Sequence, residues 1–303
     1  MSVKPIRLAL WVVFILGITP LAAAAVSAQI TTNTALPVAK GVGIFRIQAK
    51  VLRSSGDSSP MNRELTVLMF PAVLVYGVTP KLAALGILQI HDKQLESSDP
   101  EGRIERRVSG LADARAFVRY TIYQKDDHGA TFRIAPFAGA KLPTGSTDAS
   151  DDMGTLPRSL QLGSGSWDPF IGAVLTRQTF SWQIDASLSY QFNSTADRFR
   201  FGDEVRLDVA SKVRLLPRLL GEGLPNFLYA NLESNLVWHG RNKINGIDDI
   251  DSGGTVWYLD PGLQFITRRV VIETAIQLPI LQDLNGTALE NDFIFILSAR
   301  LAF

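Results

Sequence analysis

Few residues in this 303-residue chain could make or break a bond. There is no cysteine, and there are three histidines, His91, His128 and His239. Without cysteine there is no thiolate nucleophile, thiolate zinc site, iron–sulfur cluster or disulfide scaffold. A Ser–His hydrolase would have to draw on Ser109, Ser234 or Ser298, while the histidines fall near strand ends or in a turn. Gly163-Ser164-Gly165 lacks the G-x-S-x-G spacing and its strand-to-helix elbow. Asp148, Asp151 and Asp152, and later Asp248, Asp249 and Asp251, form two acidic clusters. Neither has the spacing or the closing Glu of a calcium loop, so both read as solvated charge. No catalytic residue, resident metal or cofactor is expected.

A second kind of chemistry, binding without reaction, is open to polar and aromatic groups set at alternate positions along apolar segments. Asp185 is one such group, followed by Arg206, Asp208, Lys212 and Arg214, then Asn231 and Glu233. Upstream, Arg115, Arg119, Arg133 and Lys141 interleave with Phe117, Tyr123 and Phe137. The element that positions them has a period of two. Phe180, Trp182, Ile184, Ala186, Leu188, Tyr190 and Phe192 share one parity, and Ser181, Gln183, Asp185, Ser187, Ser189, Gln191 and Asn193 share the other. In a strand these sets face opposite sides, whereas a helix would scatter them.

The alternation recurs in about twelve segments, at 41–54, 62–77, 80–92, 108–124, 130–144, 166–178, 180–193, 203–216, 226–239, 254–267, 270–280 and 291–303. Connections after even-numbered segments are mostly short, as at Gly77-Val78-Thr79-Pro80, Asp126-Asp127-His128-Gly129 and Thr267-Arg268-Arg269. Those after odd-numbered segments are mostly long and polar: Ser54 to Asn62, Asp92 to Arg107, Gly145 to Gly165, Ser194 to Gly202, Gly240 to Gly253 and Gln282 to Asn291. Short turns on one rim and long loops on the other describe a transmembrane β-barrel. In lipid every backbone polar group must be paired within the protein, and only a closed sheet leaves no edge.

Both ends of the chain fit that reading. Lys4 and Arg7 precede an apolar run from Leu8 to Ile18, and Val26-Ser27-Ala28 offers small residues before a cut at Gln29. The run is too short to span a bilayer, which needs about 20 residues, and suits an export signal. The expected division is therefore a removed leader at 1–28 and an outer-membrane barrel at 29–303. Without Lys4 and Arg7 the net charge falls from +1 to about −1, which argues against nucleic acid as a partner. With 46% hydrophobic and 19% charged residues, bulk disorder is excluded. At the other end, Phe293, Phe295, Leu297, Ala299, Leu301 and the terminal Phe303 share one parity, the pattern of a strand read by outer-membrane assembly machinery. The expected surroundings are the outer membrane of a Gram-negative bacterium, with its lipid and lipopolysaccharide.

Several segments resemble a bacterial family of outer-membrane transporters labelled "meta-pathway of phenol degradation". The pieces are Lys141-Leu142-Pro143-Thr144-Gly145, the run Leu160-Gln161-Leu162-Gly163-Ser164-Gly165-Ser166-Trp167-Asp168-Pro169, Ser252-Gly253-Gly254, Pro261-Gly262-Leu263-Gln264, Gln277-Leu278-Pro279 and Asn285-Gly286. The resemblance runs from about Gly110 to Phe303, with a weaker match at Tyr76 to Pro80. It implies a barrel that moves small, aromatic molecules across the outer membrane, and it brings no catalytic residues. The motifs themselves read as architecture: Pro143 ends a strand because proline cannot donate to a ladder.

Turning the cleaner apolar parity of each strand to lipid sends Asp185, Arg206, Asp208, Lys212, Arg214, Asn231 and Glu233 inward. Strands near the N-terminus behave differently. Val67, Met69, Val73, Val75, Leu85 and Ile87 would also face inward, joined by Phe117, Tyr123 and Phe137 among Arg115, Arg119, Arg133 and Lys141. The interior is then half apolar and half charged, unlike the polar lumen of a general porin. Twelve strands give a narrow or occluded pore, and Gly145 to Gly165, the longest loop, is the candidate to fold inward. The function expected is passive passage of a small solute, aromatic or otherwise hydrophobic. The alternatives are a narrow ion or general porin, or a closed structural or assembly barrel.

Overall fold

The computed structural model describes residues 29–99, 102–219 and 226–303. The leader at 1–28 lies outside the described residues. Twelve strands follow one another around a closed antiparallel barrel. They are β1 (Gly43–Ser54), β2 (Glu64–Gly77), β3 (Leu82–Asp99), β4 in three pieces (Gly102–Leu111, Ala114–Tyr120 and Tyr123–Asp127), β5 (Ala130–Leu142) and β6 (Asp168–Thr179). The second half comprises β7 (Trp182–Gln191), β8 (Glu204–Leu216), β9 (Phe227–His239), β10 (Gly254–Ile266), β11 (Val270–Leu284) and β12 (Phe293–Ala302). β12 pairs with β1 from Ile44↔Ala302 to Arg53↔Phe293, which closes the wall.

Alternation decides the facing. In β8, Leu207, Val209 and Val213 lie exposed on the outer face, while Asp208, Ala210 and Lys212 are buried within. In β9, Leu232, Leu236 and Trp238 look out, and Asn231, Glu233 and Asn235 look in. The exposed aliphatic residues would be stranded in water, but they suit lipid, and the buried charges line an enclosed lumen.

The regular wall breaks in β4. At Ala112-Asp113 one extra residue faces β3. The Ala112 N–H donates to the Gln89 carbonyl at 2.8 Å. Thr144 bridges the gap: its Oγ1 accepts from the Ala114 N–H at 2.8 Å and donates to the Ala112 carbonyl at 3.0 Å. A second break at Thr121-Ile122 gives the Thr121 N–H to the Lys81 carbonyl and the Ile122 N–H to the Ile134 carbonyl. Bulges of this kind shift the phase of everything beyond them. Phe117 and Arg119 therefore face inward, while Tyr123 is turned outward onto Phe132, their ring centroids 6.0 Å apart. Tyr123 is not a lumen residue, contrary to the strict parity of 108–124.

The expected polar loop from Asp92 to Arg107 is a paired hairpin instead. β3 and β4 stay in register from Ile90↔Leu111 to Asp99↔Gly102. Beyond the lipid edge neither face needs apolar residues, so the ladder continues without the alternation that marks it elsewhere. Asp92–Arg107 and Glu96–Arg103 pair across it. On the same rim, residues 195–200 and 243–248 form two small hairpins that join as a four-stranded sheet. Asp197 and Arg198 in one turn, and Asn245 and Gly246 in the other, have positive φ, as tight hairpin turns require.

The segment ahead of β1 is the largest departure from expectation. Gly43 and Phe303 exchange backbone hydrogen bonds at the periplasmic rim, and Gly41 and Val42 bond to Gly77 there. From that rim the chain at Gln29–Val38 runs inside the barrel, with Ile30, Ala35 and Val38 buried.

Candidate functional site

The lumen holds two unlike walls with a plug between them. On the polar wall, Glu233 of β9 accepts the Ile30 N–H at 2.6 Å, the Thr31 N–H at 3.0 Å and the Thr32 N–H at 2.8 Å. The Thr31 hydroxyl donates to the same carboxylate at 2.6 Å. Asp185 of β7 accepts from Gln29 Nε2 at 2.8 Å, from Gln183 Nε2 at 2.6 Å and from the Thr176 hydroxyl. Thr176 Oγ1 in turn accepts the Ala35 N–H at 2.7 Å. Cations take the plug's carbonyls: Arg46 donates to Ile30 O at 2.5 Å, Arg119 to Leu36 O at 2.9 Å and Arg300 to Gln29 O at 3.1 Å. An irregular segment inside a barrel has no ladder of its own, and these side chains satisfy the backbone groups that would otherwise be buried without partners.

Behind the plug the charges are matched within the wall. Glu273 receives Arg46 at 3.1 Å, Arg300, Gln264 Nε2 at 2.5 Å and the Ser298 hydroxyl at 2.9 Å. Arg206 donates to Asp208 at 2.8 Å, and Asn235 Nδ2 donates to the same carboxylate at 2.7 Å. Lys212 bonds Gln264 and sits 5.2 Å from the Tyr229 ring centroid.

The opposite wall is apolar. Phe117 of β4, Phe137 of β5 and Phe170 of β6 form a triangle with ring centroids 5.6–6.5 Å apart, and Ala35 of the plug packs on it. Gly172 makes room for this triangle, since a Cβ there would stand 2.4 Å from the Phe137 ring. Val73 and Val75 of β2 with Leu85 and Ile87 of β3 extend the wall. Between the walls lies a cavity of about 350 Å³, at the lower end of small-ligand pockets. It shares Gln48, Lys50, Val73, Ile87, Arg115 and Arg206 with a second cavity of about 880 Å³ that opens toward the outer rim.

The outer mouth is roofed by part of the loop between β5 and β6. Asp113, at the β4 break, accepts the Gly145 N–H at 3.0 Å and both the backbone N–H and the hydroxyl of Ser164 at 2.8 Å. Lys141 reaches Asp168 at 2.5 Å, and Lys93 donates to the Gln161 carbonyl at 2.6 Å. Gly163 is required here, because a Cβ would lie 2.2 Å from the Gly145 carbonyl oxygen. The Leu-Gly-Ser-Gly-Ser-Trp-Asp-Pro run thus ties the loop to the wall and brings Ser159 to Ser164 over the second cavity.

Apart from the outward-facing Tyr123, the expected lumen residues separate into three groups. Arg115, Phe117, Arg119, Phe137, Arg206 and Asp208 line the inner cavity. Asp185, Lys212 and Glu233 are buried in the network that holds the plug or the wall behind it. Arg133 is drawn to Asp126 near the periplasmic turn, and Arg214 stacks on Phe227 at 5.9 Å at the same end, so neither reaches the cavities. Sequence reasoning missed Gln29–Val38 altogether. The only signal was an absence of charge from Gln29 to Ala39 in a stretch without periodicity. Among the described residues no group of acidic or histidine side chains is arranged to hold a metal ion.

The barrel is similar to the COG4313 outer membrane channel from Pseudomonas putida F1, with TM-score 0.69 and 14% identity over 91% of this chain and 100% of that one. It also matches the translocator domain of the autotransporter NalP from Neisseria meningitidis, at TM-score 0.44 and 8% identity over 88% of this chain and 90% of that one. No curated protein sequence matches the chain. The fold is that of a Gram-negative outer-membrane barrel. The family described as "Putative MetA-pathway of phenol degradation" matches residues 10–271, and the chain belongs to it.

Proposed function

We propose that the barrel is a passive outer-membrane channel for a small solute with an aromatic or otherwise hydrophobic body. The observation that carries this reading is the Phe117–Phe137–Phe170 triangle, which faces an internal cavity rather than lipid. A lumen serving hydrophilic solutes has no use for an apolar wall, whereas a site for a ring needs one. The family's phenol label agrees with that chemistry, and the similar P. putida protein is an outer membrane channel. In the same reading residues 1–28 export the chain, and Phe303, on the rim beside Gly43, is the terminal signal for barrel assembly.

Single-channel current of the refolded protein in a planar bilayer tests this, with and without millimolar phenol. Stable steps that phenol blocks are expected once the plug has been released. A second reading, a closed structural barrel, has the plug in its favour. It predicts silence in every condition, including after the plug is removed.

A further inference from the structure

The lumen's cations are not equally occupied. Arg46 and Arg300 share Glu273, Arg206 has Asp208 and Lys141 has Asp168. Arg119 is taken by the plug carbonyl at Leu36. Two cations differ. The Lys50 side chain of β1 borders both cavities with no hydrogen bond or ion pair among the described residues. Arg115 of β4 also borders both, has no carboxylate within ion-pair distance among the described residues, and donates only to the side-chain oxygen of Gln191, at 2.5 Å. Its guanidinium lies 5.4 Å from the Phe170 ring centroid, so its positive charge adjoins the aromatic triangle. Of the acids that line the cavity, Asp208 is engaged by Arg206, and Glu204 lies beyond ion-pair distance of both Lys50 and Arg115 among the described residues.

Two unmatched cations beside an apolar wall call for a ligand that is apolar at one end and negative at the other. Building on the channel reading above, we infer that the inner cavity selects amphipathic monoanions, namely aromatic or short-chain carboxylates. The ring packs on Phe117, Phe137 and Phe170, and the carboxylate lies between Lys50 and Arg115. A guanidinium offers paired donors that match a carboxylate, and a lysine adds a mobile point charge. A neutral phenol would satisfy the wall and leave both cations unmatched. A small carboxylate such as acetate would satisfy the cations and leave the wall empty.

The test is calorimetric titration of the purified full chain in detergent micelles at pH 7.5, with benzoate, phenol and acetate, after subtraction of empty micelles. Benzoate should bind at least about tenfold more tightly than phenol or acetate, as expected for one hydrogen-bonded charge pair. Lys50→Met and Arg115→Gln should each lower benzoate affinity toward that of phenol, with the heat-modifiable gel shift confirming a folded barrel. Equal binding of benzoate and phenol, or variants indifferent to benzoate, would overturn the anion selectivity and leave the aromatic channel standing. Equal binding of benzoate and acetate would reduce the site to a general anion trap and overturn the proposal. Binding of none of the three would sink the aromatic channel together with it.

Discussion

Glu233 shows how much one side chain can decide in a closed lumen. Its carboxylate accepts three consecutive backbone N–H groups and a hydroxyl from the plug. Charge-assisted hydrogen bonds of this kind contribute about 1.5–3 kcal/mol each when buried. Glu233→Gln removes the charge and puts a donor where an acceptor is needed, so the plug should leave its seat far more often. We expect at least a tenfold rise in open-channel events in planar bilayers, with cleavage by an added protease appearing within residues 29–38. Unchanged gating would mean that the other plug contacts suffice. Asp57 works at the outer rim. It accepts from Arg63 Nη2 at 2.7 Å, from Arg63 Nε at 2.9 Å and from the Ser59 backbone, with its side chain 1% exposed. The Arg63 guanidinium holds the Asp57 carboxyl well below the usual carboxylate range. A depressed folded value contributes stability that is complete above the unfolded value of about 3.9 and is lost only as pH falls through the lower folded one. Arg63 also bonds the Thr287 carbonyl, so this pair ties two outer loops together. The loops should therefore stay protected from proteolysis down to about pH 4 and loosen below it. Asp57→Asn should loosen them already at neutral pH.

At the scale of strands, period-two reading succeeds where the ladder is regular and fails where it slips. β7 to β9 alternate regularly up to a register shift between Arg214 and Leu216, and the buried polar set there, including Asp185, Asp208 and Glu233, follows from parity alone. β4 contains two bulges, and no composition rule places a bulge from one sequence. Arg115, Phe117 and Arg119 sit between the bulges and share one phase, while Tyr123 lies beyond the second and takes the other. The β3–β4 hairpin escaped notice for the opposite reason: its ladder is regular but stands in water, so hydrophobicity carries no record of it. Thr144 is the test of whether the first bulge is built rather than tolerated. It satisfies one donor and one acceptor that the break sets free. Thr144→Val keeps the shape and leaves both groups unmatched, which should cost about 1–3 kcal/mol. The urea midpoint of the refolded barrel should fall accordingly, with Thr144→Ser recovering most of the loss.

At the scale of the whole molecule, two closures stand in series along one axis. The plug crosses the inner lumen, and the loop from Gly145 to Gly165 covers part of the outer mouth above the larger cavity. From the sequence, only the loop was visible as a gate, because a long polar insertion is conspicuous and an uncharged stretch ahead of the first strand is not. The plug is bound on both sides of the lumen by Glu233, Thr176, Arg46 and Arg119, whereas the cavity beneath the loop opens toward the rim, so the plug is the obstacle expected to set the current. Deleting 145–165 alone should therefore leave the bilayer nearly silent. Deleting 30–38 should open stable steps even with the loop intact, since the outer cavity of about 880 Å³ already reaches the rim. It should also free Glu233, Asp185 and Arg119 from plug contacts, giving an inner lumen with charge on one wall and the phenylalanine triangle on the other. The order of the two deletions is decisive: if loss of the loop opened the channel while loss of the plug did not, the constriction would lie at the mouth, and the internal cavity would be a dead end rather than a stage on the path.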